Sequence, residues 1–274
     1  MASLVDAHLH LWDPSERHHA WLAEAPRLRR RFGPEDVEAG AYELVGAVFV
    51  QADCRDDEAF DEVRWVQRVG PPLVRAIVAY APVHLGASAE PQLDALAGES
   101  LVVGVRRLLQ GHPSEAILEK GLHEGVRLLG ERDLTFDICA THDQLPAVAK
   151  LVEACPGTSF VLDHLGKPPV AAGRLDPWRS DIARIASFEN VSCKLSGLAT
   201  EASAGWTSGD IRPYLEHALM VFGPARCMVG SDWPLVTLAG SMERWFDAVC
   251  AVLPADETDA VLCGTASAVY GIEP

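Results

Sequence analysis

Two histidines one residue apart lie near the start of the chain, in the segment Asp6-Ala7-His8-Leu9-His10. The apolar residues around them predict a buried β-strand. Side chains two residues apart on a strand point to the same side, so His8 and His10 should project together. Two imidazoles on one strand suit a divalent metal such as zinc, and Asp6 could orient one of them. In a chain with 10 histidines such a pair also arises by chance.

Later apolar segments also carry polar residues at or near their carboxyl ends, namely Arg106, Asp163, His164, Lys194 and Asp232. Burying a polar group at the end of an apolar strand costs free energy unless the group has a hydrogen-bonding partner or a function. A barrel brings the carboxyl ends of its strands together, so we interpret these residues as one site. For Lys194 three roles stay open: catalysis, pairing with Asp163 or Asp232, or an outward position between helices.

The elements that would position these residues are eight short apolar segments. They cover residues 4–10, 44–52, 73–80, 101–109, 134–140, 159–165, 190–195 and 225–232. Continuously apolar segments of this length are typical of parallel strands buried on both faces. Apolar residues at helical spacing separate them, and each repeat has the size of one strand-helix unit. The pattern predicts a single-domain (β/α)8 TIM barrel over residues 1–274, with an open doubly wound sheet as the alternative.

The composition narrows the class of protein. The chain has 274 residues and a net charge of −16, which argues against nucleic acid and anionic membranes as partners. Its 7 cysteines form no CxxC pair, and we find neither a signal peptide nor an apolar stretch of membrane-spanning length. We therefore expect a cytoplasmic protein that acts on a small molecule. Assembly as a homodimer is left open.

Four motifs of the chain are VDAHLHLWDP, FVLDHLGKP, CKLSGL and GSDWP. Together they resemble the amidohydrolase superfamily, in the branch called amidohydrolase family 2, over nearly the whole length. The set GVRRLLQ, DHLGKP and CKLSGL is most similar to the sugar-lactone hydrolases of that branch, such as those acting on L-fucono- or L-rhamnono-lactone. The resemblance implies a TIM barrel and a hydrolase that can carry a metal.

Carried over to this sequence, the resemblance implies that His8, His10 and His164 are metal ligands. It implies that Asp232 is a metal ligand, the base that activates water, or both. One divalent ion is expected, zinc in the first place, although some relatives work without one. No Lys or Glu of a middle strand is available to bridge two ions, since the fourth strand offers Arg106.

The expected reaction is the opening of a sugar-acid lactone by water. Asp232, His164 and Lys194 are the candidate catalytic residues. The candidate substrate contacts are Gln51, His84, Arg106, His142 and Trp206, and Trp206 is equally well explained as a loop anchor. Two other functions stay open: a metal-dependent decarboxylase of a small carboxylic acid, and a barrel kept as a binding module.

Overall fold

The structure, a computed structural model, describes residues 3–273 and contains one sheet of eight parallel strands paired in sequence order. The strands are β1 (Ser3–Leu9), β2 (Glu43–Val50), β3 (Val74–Ala79), β4 (Val102–Leu108), β5 (Thr135–Cys139), β6 (Phe160–Leu162), β7 (Val191–Leu195) and β8 (Cys227–Val229). The ring closes where the His10 N–H donates to Trp233 O at 2.7 Å and the Asp232 N–H donates to His8 O at 2.8 Å. The predicted TIM barrel is confirmed, and the open sheet is excluded.

Most of the helices surround the ring and cover its outer face. The helices are α1 (Ala59–Val69), α2 (Glu90–Ala97), α3 (Ser114–Ile117), α4 (Lys120–Gly130), α5 (Leu145–Ala154), α6 (Trp178–Ala186), α7 (Leu198–Glu201), α8 (Ser208–Phe222), α9 (Met242–Cys250) and α10 (Thr265–Tyr270). Helix α10 covers one end of the ring. In α8, Ile211 and Leu215 are buried, whereas Arg212 and Glu216 are exposed and form an ion pair at 3.0 Å. Such two-faced helices bury one apolar stripe against the strands and leave the other face to water.

Two strands, β6 and β8, end three residues before the ends of the apolar segments that predict them. The segment 159–165 forms strand only to Leu162, and the segment 225–232 forms strand only to Val229. After β6, His164 and Leu165 take left-handed backbone conformations with φ of 53° and 55°, and Asp232 does the same after β8 with φ of 59°. Such conformations are costly for residues other than glycine, and they turn the chain away from the ladder.

A register shift in β1 decides where Asp6 lies. Asp6 pairs with Ala47 and Leu9 with Phe49, so β1 has one residue more than β2 over this stretch. An extra residue interrupts the alternation of side chains along a strand. The Asp6 carboxylate accepts hydrogen bonds from the N–H and hydroxyl of Ser231, and it contacts neither imidazole ring. The expectation that Asp6 orients a histidine ring is therefore wrong.

Helix α10 lies at the end of the ring where the strands begin. Just before it, Cys263 Sγ contacts Ser3 O at 3.4 Å, and within it Thr265 Oγ1 donates to Pro224 O at 3.1 Å. From there Tyr270 enters a buried cluster with Val48 and other side chains of the barrel interior. The helix therefore covers the interior from the side opposite to the carboxyl ends of the strands.

Among residues 3–273, no helix combines the length and the apolar character that a membrane crossing requires. The cytoplasmic location and the homodimer stay predictions.

Gly125 allows α4 to approach the turn after β3. A Cβ atom at this position would lie 1.9 Å from Val83 O, a backbone atom that cannot give way easily. We expect Gly125→Ala to destabilise the fold by roughly 1–3 kcal/mol through overpacking, although alanine is the better helix former by about 1 kcal/mol. Thermal and urea unfolding midpoints measure the change. Gly157→Ala is the matched control, because no atom lies within 4 Å of its added Cβ. Equal midpoints for the two variants would contradict this account.

Candidate active site

Three buried side chains from the first and last strands converge at the carboxyl end of the ring. Nε2 of His8 lies 3.2 Å from Nε2 of His10. Asp232 Oδ1 lies 3.4 Å from His10 Nε2 and 3.8 Å from His8 Nε2. Two nitrogen ligands of one tetrahedral zinc ion lie about 3.3 Å apart. The spacing of the two imidazoles therefore fits ligands of a single ion.

Hydrogen bonding at the opposite ring nitrogens supports the same interpretation. His10 Nδ1 lies 2.7 Å from Val50 O, and a carbonyl only accepts, so Nδ1 carries a proton and the tautomer with a lone pair on Nε2 is the one that this contact selects. Asp163 Oδ1 lies 3.2 Å from His8 Nδ1, and a buried carboxylate oxygen of this kind only accepts. A proton on His8 Nδ1 would satisfy Asp163 and free the second Nε2 for a metal. The donor set thus fits a divalent ion, with Asp163 as the carboxylate behind His8.

Arg106 of β4 reaches the same place from the other side of the ring. Its Nη1 lies 3.3 Å from His8 Nε2 and 3.3 Å from Asp163 Oδ2, and its Nη2 donates to Gln51 O at 2.7 Å. Arg106 is 4% exposed, so this cation is held in the wall and is not a mobile surface group. It provides hydrogen-bond donors beside the histidine pair.

His164 lies next to this group. Its ring centroid is 4.5 Å from that of His8, and its Nδ1 lies 2.9 Å from Ser196 Oγ. Burial lowers the pKa of His164 to about 4, so the imidazole is neutral at pH 7. A ligand atom of His164 also comes within 4.8 Å of His8 and Asp163, which makes a second group of three.

The charge state of Asp232 follows from its neighbours. Burial raises the pKa of Asp232, but His164, His10 and His8 outweigh burial and hold this pKa below its ordinary value. Burial likewise lowers the pKa of His8 well below its ordinary value, so His8 is neutral. At neutral pH the site therefore combines the Asp232 carboxylate with the uncharged imidazoles of His8 and His164, a protonation state that suits a metal.

Lys194 of β7 lies beneath His8. Its Nζ is 2.6 Å from Asp137 Oδ2, 3.0 Å from Asp163 Oδ1 and 3.3 Å from His8 Nδ1. Burial lowers the pKa of Lys194, but Asp137 and Asp163 outweigh burial and raise it above the ordinary value. Of the roles left open by the sequence, the structure places the side chain inward and paired with Asp163, and not with Asp232.

A cavity of about 210 Å³ lies beside the candidate metal ligands. Its lining includes His10, His164, Arg106 and Asp232 on the side of the metal-ligand candidates, and Trp21, Ala52, Asp53, Leu108, Gln110, Cys139, Lys167, Thr200 and Leu235 elsewhere. Trp21, Asp53 and Gln110 were not predicted from the sequence. Each follows the carboxyl end of a strand, and only that position in the sequence could have indicated that they line the cavity.

Four expected substrate contacts are not part of this lining: Gln51, His84, His142 and Trp206. The Gln51 side chain is buried and accepts from the Asp53 N–H at 2.6 Å, and His142 Nδ1 lies 3.1 Å from Lys167 O, so both support loops of the wall. Trp206 donates to Ala239 O at 2.9 Å, which is the contact expected of a loop anchor.

The sequence profile of the amidohydrolase family matches residues 5–272. The chain belongs to the amidohydrolase family. This confirms the resemblance inferred from the four motifs, and it makes the protein an enzyme of the hydrolase class.

Individual relatives are similar over their full length. The chain is 29% identical to an L-fucono-1,5-lactonase of Burkholderia ambifaria, over 100% of this chain and 97% of the relative. It is 31% identical to an L-fucono-1,5-lactonase of Burkholderia multivorans, over 98% and 96%. A zinc-bound crystal structure of an amidohydrolase from Burkholderia multivorans superposes with a TM-score of 0.87 at 28% identity, covering 99% of this chain and 100% of that one.

Glu62 of α1 supports the cavity wall from behind. Its Oε1 accepts from the Ala52 N–H at 3.1 Å, whereas its Oε2 is buried without a partner. Burial raises the pKa of Glu62 from 4.5 to about 7. The folded protein therefore keeps a proton that the unfolded chain releases, and stability falls as pH rises through this interval.

We expect Glu62→Gln to remove this pH dependence, because glutamine keeps an acceptor for Ala52 and cannot ionise. The gain in stability should be absent near pH 4.5 and reach about 3 kcal/mol above pH 7. Urea unfolding from pH 4.5 to 8 measures it, with exposed Glu153→Gln as the control. A gain of the same size at every pH would be inconsistent with a buried, titrating carboxyl group.

Proposed function

We propose that this protein opens a sugar-acid lactone, such as L-fucono-1,5-lactone or L-rhamnono-lactone, by attack of water on the ring carbonyl. The observation that carries the proposal is the convergence of His8, His10 and Asp232 beside a cavity that His10 and Asp232 line. The names of the two Burkholderia relatives support this substrate class.

The remaining walls of the cavity suit a small polyhydroxylated ring. Asp53 and Gln110 offer hydrogen-bond acceptors and donors for hydroxyl groups, whereas Trp21 and Leu235 offer apolar surface for a ring face. Lys167 adds a cation that Glu201 balances at 3.1 Å. A neutral lactone places its hydroxyl groups against such walls without introducing an unpaired charge.

We propose one divalent ion, zinc, held by His8, His10 and Asp232. When bound there, it would lower the pKa of a water molecule and polarise the lactone carbonyl. His164, the fourth ligand expected from the sequence, lies in the second group of three, with His8 and Asp163. The second group of three does not suit another ion, because Asp163 already lies 3.0 Å from Lys194 and 3.3 Å from Arg106. Two cations therefore occupy the place that a second metal would need.

We assign each side chain of the site a role in the reaction or in supporting it. Asp232 is ionised and lies at the cavity wall, so it accepts the proton of the attacking water. Arg106 donates to the negative charge that develops on the carbonyl oxygen. The proton that Asp232 has taken up then passes to the alkoxide that leaves when the ring opens, and neutral His164 offers it a hydrogen bond. Lys194 does not line the cavity, so we assign it the support of His8 and not a step of the reaction.

Asp232→Asn tests the proposed base. The amide cannot accept the proton of water, and we expect kcat/KM on aldonolactones to fall about a thousandfold. Proton release from a panel of aldonolactones measures turnover. Asp143→Asn is the control, since Asp143 is an exposed aspartate in the loop after β5. An Asp232→Asn variant as active as the parent, or a parent inactive on the whole panel, would refute the proposal. Release of CO2 from a carboxylic acid would favour the decarboxylase.

Removal of the metal tests the proposed ion. After dialysis against a chelator we expect lactone hydrolysis to be lost and to return on addition of about one equivalent of zinc per chain. His10→Asn should take up zinc more weakly, because one of the three ligands is missing. Metal analysis alongside the assay decides the outcome: unchanged turnover by a protein verified to be metal-free would show that the reaction needs no ion.

A further inference from the structure

A chain of buried polar contacts joins α10 to the candidate metal ligands. The Tyr270 hydroxyl donates to Asp137 Oδ2 at 2.7 Å, and Lys194 Nζ donates to the same oxygen at 2.6 Å. The same ammonium lies 3.0 Å from Asp163 Oδ1 and 3.3 Å from His8 Nδ1. All five side chains are at most 1% exposed, so bulk water does not reach these contacts.

We propose that Tyr270 is a positioning residue for the site: its hydroxyl, through Asp137, fixes the Lys194 ammonium and thereby the imidazole of His8. The inference rests on the proposed function, because it takes His8 to be a metal ligand. It adds a residue from the opposite end of the barrel, one that does not line the cavity.

The physical reason lies in how two carboxylates, Asp137 and Asp163, share one ammonium. Asp137 Oδ2 receives two donors, from Tyr270 and from Lys194, and its other oxygen receives the Thr135 hydroxyl at 3.0 Å. Without the tyrosine hydroxyl, Oδ2 keeps Lys194 as its single donor. A buried carboxylate that loses a donor attracts its remaining cation more strongly. The ammonium then moves toward Asp137 and away from Asp163, whose Oδ1 also contacts His8 Nδ1, so the imidazole loses its fixed partner.

Removal of the hydroxyl alone isolates this effect. In Tyr270→Phe the aromatic ring stays in the core and keeps its cation–π contact with Lys194, whose Nζ lies 5.4 Å from the ring centroid. Tyr214→Phe is the matched control. Tyr214 is also buried, at 2% exposed, and its hydroxyl donates to Arg174 O at 3.1 Å, outside this chain of contacts.

The experiment measures zinc affinity by competition with a chromophoric chelator, without substrate. It also records the ¹⁵N resonances of the His8 imidazole in zinc-free protein, assigned by their loss in His8→Asn. We expect Tyr270→Phe to bind zinc about tenfold more weakly and to shift the His8 resonances. Tyr214→Phe should match the parent in both measurements. A purely structural role of the hydroxyl would lower the unfolding midpoint without changing either.

Both changes are required of Tyr270→Phe. Parent-like zinc affinity, unshifted His8 resonances, an equal loss in Tyr214→Phe, or a parent that takes up no zinc would each overturn the inference. Failure of the proposed function is distinguishable. A parent that binds zinc but hydrolyses no lactone would refute the lactonase assignment and leave the zinc and ¹⁵N results to decide the role of Tyr270.

Discussion

One buried ammonium group carries much of the electrostatic balance inside the barrel. Lys194 lies between two carboxylates, Asp137 and Asp163, that have no access to bulk water. Removal of one partner from such a cluster leaves an uncompensated buried charge, which costs about 3–5 kcal/mol. Arg106 balances the other oxygen of Asp163. The histidine layer lies directly above this cluster, so the geometry of the site depends on charges that never meet the substrate.

A second constraint is the seam between β1 and β8. Asp6 holds Ser231 there through two hydrogen bonds, and backbone contacts join His8 to Asp232 and His10 to Trp233. Burial raises the pKa of Asp6 to about 6, although the hydrogen bonds from Ser231 lower it. The same residues that close the ring thus hold the candidate ligands, and neither strand forms the site alone.

The barrel was predictable because each strand is buried on both faces, which leaves an apolar segment bounded by polar residues. The same contrast between apolar segments and the polar residues at their ends identified His8, His10 and Asp232 as candidate site residues. The position of Asp6 was not predictable, because one extra residue in β1 reverses its side and no apolar pattern reveals it. The prediction of substrate contacts in the loops was wrong for another reason. The end of a strand shows where a loop starts but not which of its side chains turns inward, so Trp206 became an anchor while other loop residues line the cavity.

The position of the candidate ligands on the first and last strands has a consequence for how the chain folds. Contacts between the two ends of a sequence form late. Closing the long loop between them costs conformational entropy before the favourable contact energy is gained. A folding intermediate that contains only the middle strands would therefore offer no complete set of ligands. An ion held by His10 and Asp232 would bind only the closed ring. By mass action its binding would stabilise the folded protein against opening between β1 and β8.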